Sequence, residues 1–306
     1  MSQEVDNEEL AQQEAEAAQV TPSQLLSKRI ELIKNGKYSE IEFPFKALTK
    51  ITKALYPGTI TLLCGDPGSC KSLFLLQCLG YWHNAGIPAC LYALENDMEY
   101  HMMRVLAQLE VQEGLTDLTW IADHQEEVDG VLERNKEFID EFGKQIWVPG
   151  SEEFNMGTVI EWMYERAKEG RRVICIDPVT IIPTDSNQQW RGEKEFIKRT
   201  GQIAADFGCS VIFVTHPAKA LGNKPSMQSL AGSADYARLS QVIMWLAAHD
   251  TLTQTIQGPE ISESTPHNRT MHILKVRNGA GQGVQDAFQF NVEGLKMVEC
   301  GPVTKG

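Results

Sequence analysis

Gly65-Asp66-Pro67-Gly68-Ser69-Cys70-Lys71-Ser72 is the stretch whose residue types and spacing most clearly specify chemistry. It follows the apolar run Thr59-Ile60-Thr61-Leu62-Leu63-Cys64 and precedes Leu73-Phe74-Leu75-Leu76. A strand, a glycine-containing turn and a helix opening at Lys-Ser together form a cradle for a polyphosphate. Loop amides and the helix N-terminus face the anion, Lys71 neutralises it, and the Ser72 hydroxyl is placed to ligate Mg2+. Cys70 stands where such loops usually carry glycine. At a helix N-terminus that residue is expected to hold ordinary helical dihedrals, so a small side chain fits without strain.

Other chemistry-bearing residues stand where apolar runs stop. Leu91-Tyr92-Ala93-Leu94 ends in Glu95, Val173-Ile174-Cys175-Ile176 in Asp177, and Val211-Ile212-Phe213-Val214-Thr215 in His216. In an open parallel sheet ligands sit at the carboxyl ends of the strands, so these positions converge on one crevice. Asp177 suits the carboxylate that holds Mg2+ opposite Ser72, although a strand-end Asp is also a common turn cap. Glu95 is a candidate general base for an attacking water, or the first-turn acid of the next helix. His216 can sense a terminal phosphate, or simply close a strand before Pro217.

The elements that must position these groups alternate along the chain. Strands are expected at 59–64, 89–94, 145–148, 172–177, 210–215, 242–247, 270–276 and 286–291, with helices near 71–84, 97–110, 126–142, 156–169 and 192–207. The strand runs are continuously apolar, as when helices cover both faces of a sheet, and the last strands follow one another without helices. The fold class is therefore α/β, a mainly parallel sheet sandwiched by helices with an antiparallel C-terminal edge. Residues 1–20 carry six acidic side chains and no basic one and are expected to form an acidic disordered tail. Residues 21–40 read as a helical arm, and 41–306 as one domain.

The 306 residues carry a net charge of −13, which disfavours coating duplex DNA over the whole surface and leaves only local basic loops for nucleic acid. Seven cysteines form no C-x-x-C pair, so reduced thiols are expected rather than a disulfide framework or a zinc site. No apolar run has the length of a membrane span and the N-terminus is acidic, so a cytoplasmic location without membrane attachment is expected.

Taken together, these segments and the late Leu274-Lys275-Val276-Arg277-Asn278-Gly279, with Gly281 and Gly283, resemble RecA-like ATPases, specifically DnaB-type replicative helicases and plasmid RepA-type hexameric helicases. The resemblance spans roughly residues 40–291. It implies a phosphate loop over Gly65, Asp66, Pro67, Gly68, Ser69, Cys70, Lys71 and Ser72, a bound ATP, and Mg2+ held by Ser72 and Asp177. It further implies catalysis by Glu95, Lys71 and His216, with Lys275 and Arg277 reaching the ATP of a neighbouring subunit.

A homo-oligomeric ring, a hexamer, follows from such shared sites, as does a phage- or plasmid-borne motor that translocates on single-stranded DNA. Loops carrying Arg191, Lys219 and Lys224 would line its channel. Contacts with replication proteins belong to the same picture, although the chain has no sizeable N-terminal domain before residue 40 to make the familiar ones. Two other readings share the motifs up to His216: a RecA-like recombination or annealing ATPase that forms filaments, and a KaiC-like regulatory ATPase with protein clients.

Overall fold

The computed structural model describes residues 21–36, 38–53, 55–150, 154–184, 189–218, 225–232, 234–257 and 262–304. The chain divides into two units, Met1–Glu40 and Ile41–Gly306. In the first, helix α1 (Pro22–Lys34) opens with Pro22 at its first turn and a capping box in which Thr21 and Gln24 satisfy each other's amides. Its Leu25, Leu26, Ile30 and Ile33 are all exposed.

The second unit runs α2 (Lys46–Thr52), β1 (Ile60–Cys64), α3 (Lys71–Asn84), β2 (Ala89–Ala93), α4 (Met98–Glu110), α5 (Leu118–Asp123) and α6 (Gln125–Gly143). It continues with β3 (Ile146–Trp147), α7 (Met156–Lys168), β4 (Val173–Asp177), α8 (Gln189–Phe207), β5 (Ser210–Thr215) and α9 (Ala234–Leu239). Four strands close it: β6 (Val242–Gln257), β7 (Ser262–Val276), β8 (Gln285–Asn291) and β9 (Lys296–Pro302).

One nine-stranded sheet has the order β3-β2-β4-β5-β1-β6-β7-β8-β9. Strands from β3 to β6 pair in parallel, and β6 to β9 pair antiparallel. The parallel part with its antiparallel C-terminal edge is the architecture expected from the sequence. The edge is larger than expected, because β6 and β7 run 16 and 15 residues and β9 lies beyond the expected strands. Only part of β6 and β7 is apolar; the outer half of the ribbon, rich in Thr, Gln and Ser, gives no apolar-run signal. Helix α9 likewise carries little signal, being a six-residue element with few apolar positions.

The apolar runs now have a physical reason. Alternate residues of each strand feed different cores: Leu63, Leu91, Cys175 and Ile212 join the side built by α2, α3, α4 and α6. Leu62, Cys90, Ile174 and Val211 join the side built by α7, α8 and α9. Period-two geometry with both faces covered leaves no position for a polar side chain until the strand ends. The polar groups at those ends are therefore the ones free to do chemistry.

Glycines after β7 serve close packing. Gly281 N donates to Ile51 O at 3.0 Å, and a Cβ at residue 281 would lie 2.5 Å from that oxygen. The same edge holds a buried acid. Asp286 on β8 is fully buried beside Glu299 of β9, whose carboxylate accepts from the Ala47 and Leu48 amides at 3.0 and 2.8 Å and so caps α2. Burial pushes the Asp286 carboxyl well above its ordinary value of 3.8, and the neighbouring Glu299 pushes it further. The nearby Cys300 thiol is also raised, first by burial.

Because the folded state keeps the Asp286 proton after the unfolded chain has lost it, this group's contribution to stability is complete below 3.8 and shrinks as pH rises. Asp286→Asn removes that titration. The stability difference, variant minus wild type, is expected to grow by about 1.4 kcal/mol per pH unit above the unfolded value until the folded carboxyl ionises. Urea denaturation from pH 4 to 8 measures it; parallel profiles for the two proteins would refute the assignment.

Candidate nucleotide site

Strand order assembles the site. With β5 between β4 and β1, and β2 beyond β4, the carboxyl ends of four adjacent strands carry Glu95, Asp177, His216 and the loop 65–72 side by side. Neighbouring strands lie about 4.8 Å apart, so the four groups share one crevice mouth.

The loop leaves β1 through Gly65, whose φ is +159° and whose absent Cβ would fall 2.3 Å from Leu246 O and 2.7 Å from Ser69 Oγ. Any side chain there would force the loop away from β6. Ser69 N closes a turn onto Asp66 O at 3.1 Å, and Gly68 is left-handed with φ +78°. Lys71 is buried, its Nζ donating to Gly65 O at 2.8 Å and Asp66 O at 3.0 Å. Burial lowers the Lys71 pKa; Asp177, Cys64, Glu95 and Asp66 oppose that shift.

Cys70 departs from expectation. It is the N-cap of α3 with φ +72° and ψ +32°, the left-handed region, rather than the ordinary helical dihedrals expected there. The loop must reverse direction immediately before the helix, and that reversal needs a positive φ whichever residue occupies the position. A side chain there costs roughly 1–2 kcal/mol relative to glycine. Its Sγ donates to Gly68 O at 3.5 Å.

Asp177 is buried at the end of β4, and burial raises its pKa to about 6. Glu95 adds to the rise, whereas a hydrogen bond with Ser72 and the charge of Lys71 lower it. The Ser72 hydroxyl and Asp177 carboxylate are thus already in contact. Glu95 is exposed, with Oε1 3.9 Å from His216 Nε2. His216 Nδ1 is 3.0 Å from Thr180 Oγ1, a partner that strand-end reasoning does not flag because it follows Asp177 by three residues on a short turn. Burial, and then Lys71, lower the His216 pKa, so the imidazole is neutral at neutral pH.

Directly beyond His216 the chain is pinned at the base of a loop. Pro217 bridges Leu230, and Ala231 N donates to His216 O at 3.0 Å. Lys219 and Lys224 lie outside the described residues. Arg191, expected on a loop, sits instead in the first turn of α8 beside the exposed Trp190, its guanidinium 5.2 Å from the indole. With Arg199, Thr184 and Phe196 it lines a cavity of about 360 Å3.

Lys275 and Arg277 are not brought to this loop. Arg277 N pairs with Gln241 O, at the amino end of β6, whereas the loop sits at the carboxyl end of β1. Lys275 Nζ donates to Ala237 O and Arg238 O at 2.7 and 3.1 Å, and Arg277 Nη2 to Arg238 O at 3.0 Å. Both cations lie at the C-terminal carbonyls of α9.

The described residues fit a polyphosphate carrying a hard cation. Ser69 Oγ and Asp66 Oδ1 are buried without a hydrogen-bond partner among the described residues, Lys71 is already poised, and Ser72 with Asp177 presents oxygen donors. Residues 29–222 match the AAA domain family. The chain belongs to that family. Among solved structures it is similar to the ATPase domain of a DnaB-like phage helicase, with 15% identity, a TM-score of 0.67, and coverage of 91% of this chain and 98% of the other. No curated protein matches the chain. The fold is thus the RecA-like ATPase fold of DnaB type expected from the motifs. Among the described residues no helix is long and apolar enough to cross a membrane.

Replacing Cys70 with glycine is expected to stabilise the protein by up to ~1 kcal/mol. The strain removed, about 1–2 kcal/mol, exceeds the roughly 0.4–1 kcal/mol of added unfolded-state entropy. Urea denaturation of Cys70→Gly checks this, and a loss of stability would contradict the left-handed geometry.

Proposed function

We propose that this AAA-family ATPase is a ring-forming motor that hydrolyses ATP to translocate on single-stranded DNA, a hexameric helicase of replicative type. The observation that carries the reading is the separation of charges along one strand. Lys275 and the exposed Arg277 stand at the opposite end of the sheet from Lys71, too far to serve their own phosphate loop. Cations displayed there can complete the site of an adjacent copy, which makes oligomerisation a condition of hydrolysis.

In this reading the loop amides and Lys71 hold the phosphates of ATP, and Ser72 with Asp177 holds Mg2+, which when bound neutralises charge developing on the phosphoryl oxygens. Glu95 orients and deprotonates the attacking water. Neutral His216, between Glu95 and Thr180, registers the loss of the terminal phosphate and passes it to the loop it anchors. That loop carries Lys219 and Lys224, and with Arg191 it would contact the phosphates of a single strand, with Trp190 available for base stacking. The acidic surface elsewhere is no obstacle, since such contacts need only local basic groups.

Glu95→Gln is expected to leave ATP affinity within about threefold while lowering turnover at least ~100-fold. Steady-state phosphate release with and without single-stranded DNA measures this; near-normal hydrolysis would remove Glu95 as base, and absence of both DNA stimulation and DNA binding at low salt would remove the motor reading.

Arg277→Ala is expected to lower turnover at least ~1,000-fold with nucleotide binding intact. Mixing it with Lys71→Ala subunits should restore activity, because the second protein supplies Arg277 to the first protein's intact loop. Two inactive proteins that stay inactive on mixing would overturn the inter-subunit site.

A further inference from the structure

Arg269 belongs to no motif in the chain, yet the sheet delivers it to the phosphate loop. Pairing of β7 with Ala248 of β6 and Phe288 of β8 places its guanidinium beside Cys70, Nη2 standing 3.6 Å from Sγ. Nη1 donates to Asn268 O at 2.8 Å, and the Phe290 ring lies 5.2 Å from Cζ. Asn268 is itself held, its Oδ1 accepting from Phe290 N at 2.8 Å. The side chain is only partly exposed, and its Nε is buried with no partner among the described residues.

No carboxylate balances this charge: Arg269 is in none of the ion pairs found among the described residues. Its neighbour is instead the N-terminus of α3, a second positive pole. Two positive poles held together in a partly desolvated place are unfavourable until an anion lies between them. Lys71 does not relieve the conflict, since it is cationic too and is directed at the Gly65 and Asp66 carbonyls.

We propose that Arg269 is a phosphate-contacting residue acting on the nucleotide of its own subunit, gripping the polyphosphate from the β7 side while Lys71 grips it from the side of Asp177. The proposal rests on the reading of residues 65–72 as a nucleotide loop. A guanidinium suits the task because its planar fork donates two parallel hydrogen bonds to phosphate oxygens. It differs from Lys275 and Arg277 in acting within one chain, so its effect on binding needs no neighbour.

The test is titration of the full-length protein with a fluorescent ATP analogue at several salt concentrations, using Arg269→Gln, Arg269→Lys and Lys71→Ala. Arg269→Gln is expected to weaken binding about 10- to 100-fold and to flatten its salt dependence, with Lys recovering most of the affinity. The nucleotide-free melting temperature of the Gln variant should hold or rise, because an unbalanced charge has been removed; a purely structural arginine would lower it. Binding within twofold of wild type for Arg269→Gln, or no recovery with Lys, overturns the proposal. If Lys71→Ala loses binding while Arg269→Gln keeps it, the Arg269 assignment alone fails. If Lys71→Ala also binds normally, the nucleotide reading fails with it.

Discussion

Everything at the site depends on one constraint: β1 is clamped between β5 and β6 with both faces buried. Its five residues are fully covered, so the chain cannot turn until Gly65, and there it must turn under the Leu246 carbonyl. That contact leaves no room for a Cβ and dictates the path of the loop. Gly68 and Cys70 then take positive φ, and α3 starts where its amide end faces the crevice. The strain at Cys70 follows from this path and is borne by the well-packed sheet beneath it.

The same sheet decides which charges meet. Burial of Asp177 and Lys71 raises the one pKa and lowers the other, so each is less fully charged than it would be in water. A polyphosphate with its cation satisfies both at once, which explains why such expensive groups are retained. Glu95, by contrast, remains exposed next to a neutral imidazole, a suitable setting for a group that must take and release a proton.

β7 joins two functional regions. Arg269 lies at the phosphate loop, and Arg277 eight residues later at the far end of the strand, about 26 Å away in extended backbone. A strand hydrogen-bonded on both sides over part of that length is a stiff connection, so the positions of the two cations are linked without any flexible element between them.

Sequence alone determined the fold class and most of the crevice. Apolar runs with polar ends mark strands covered on both faces, and the groups at those ends, Lys71, Ser72, Glu95, Asp177 and His216, are the ones the structure brings together. It also placed the antiparallel edge, though not the length of β6 and β7, whose polar outer halves lack periodic signal. The left-handed turn at Cys70 was beyond it, because φ there is imposed by Leu246, far away in the chain. The partnership of Thr180 with His216, the helical setting of Arg191 and the approach of Arg269 to Cys70 were likewise decided only by strand order and register. Such contacts join residues distant in sequence, and no local pattern of residue types carries their geometry.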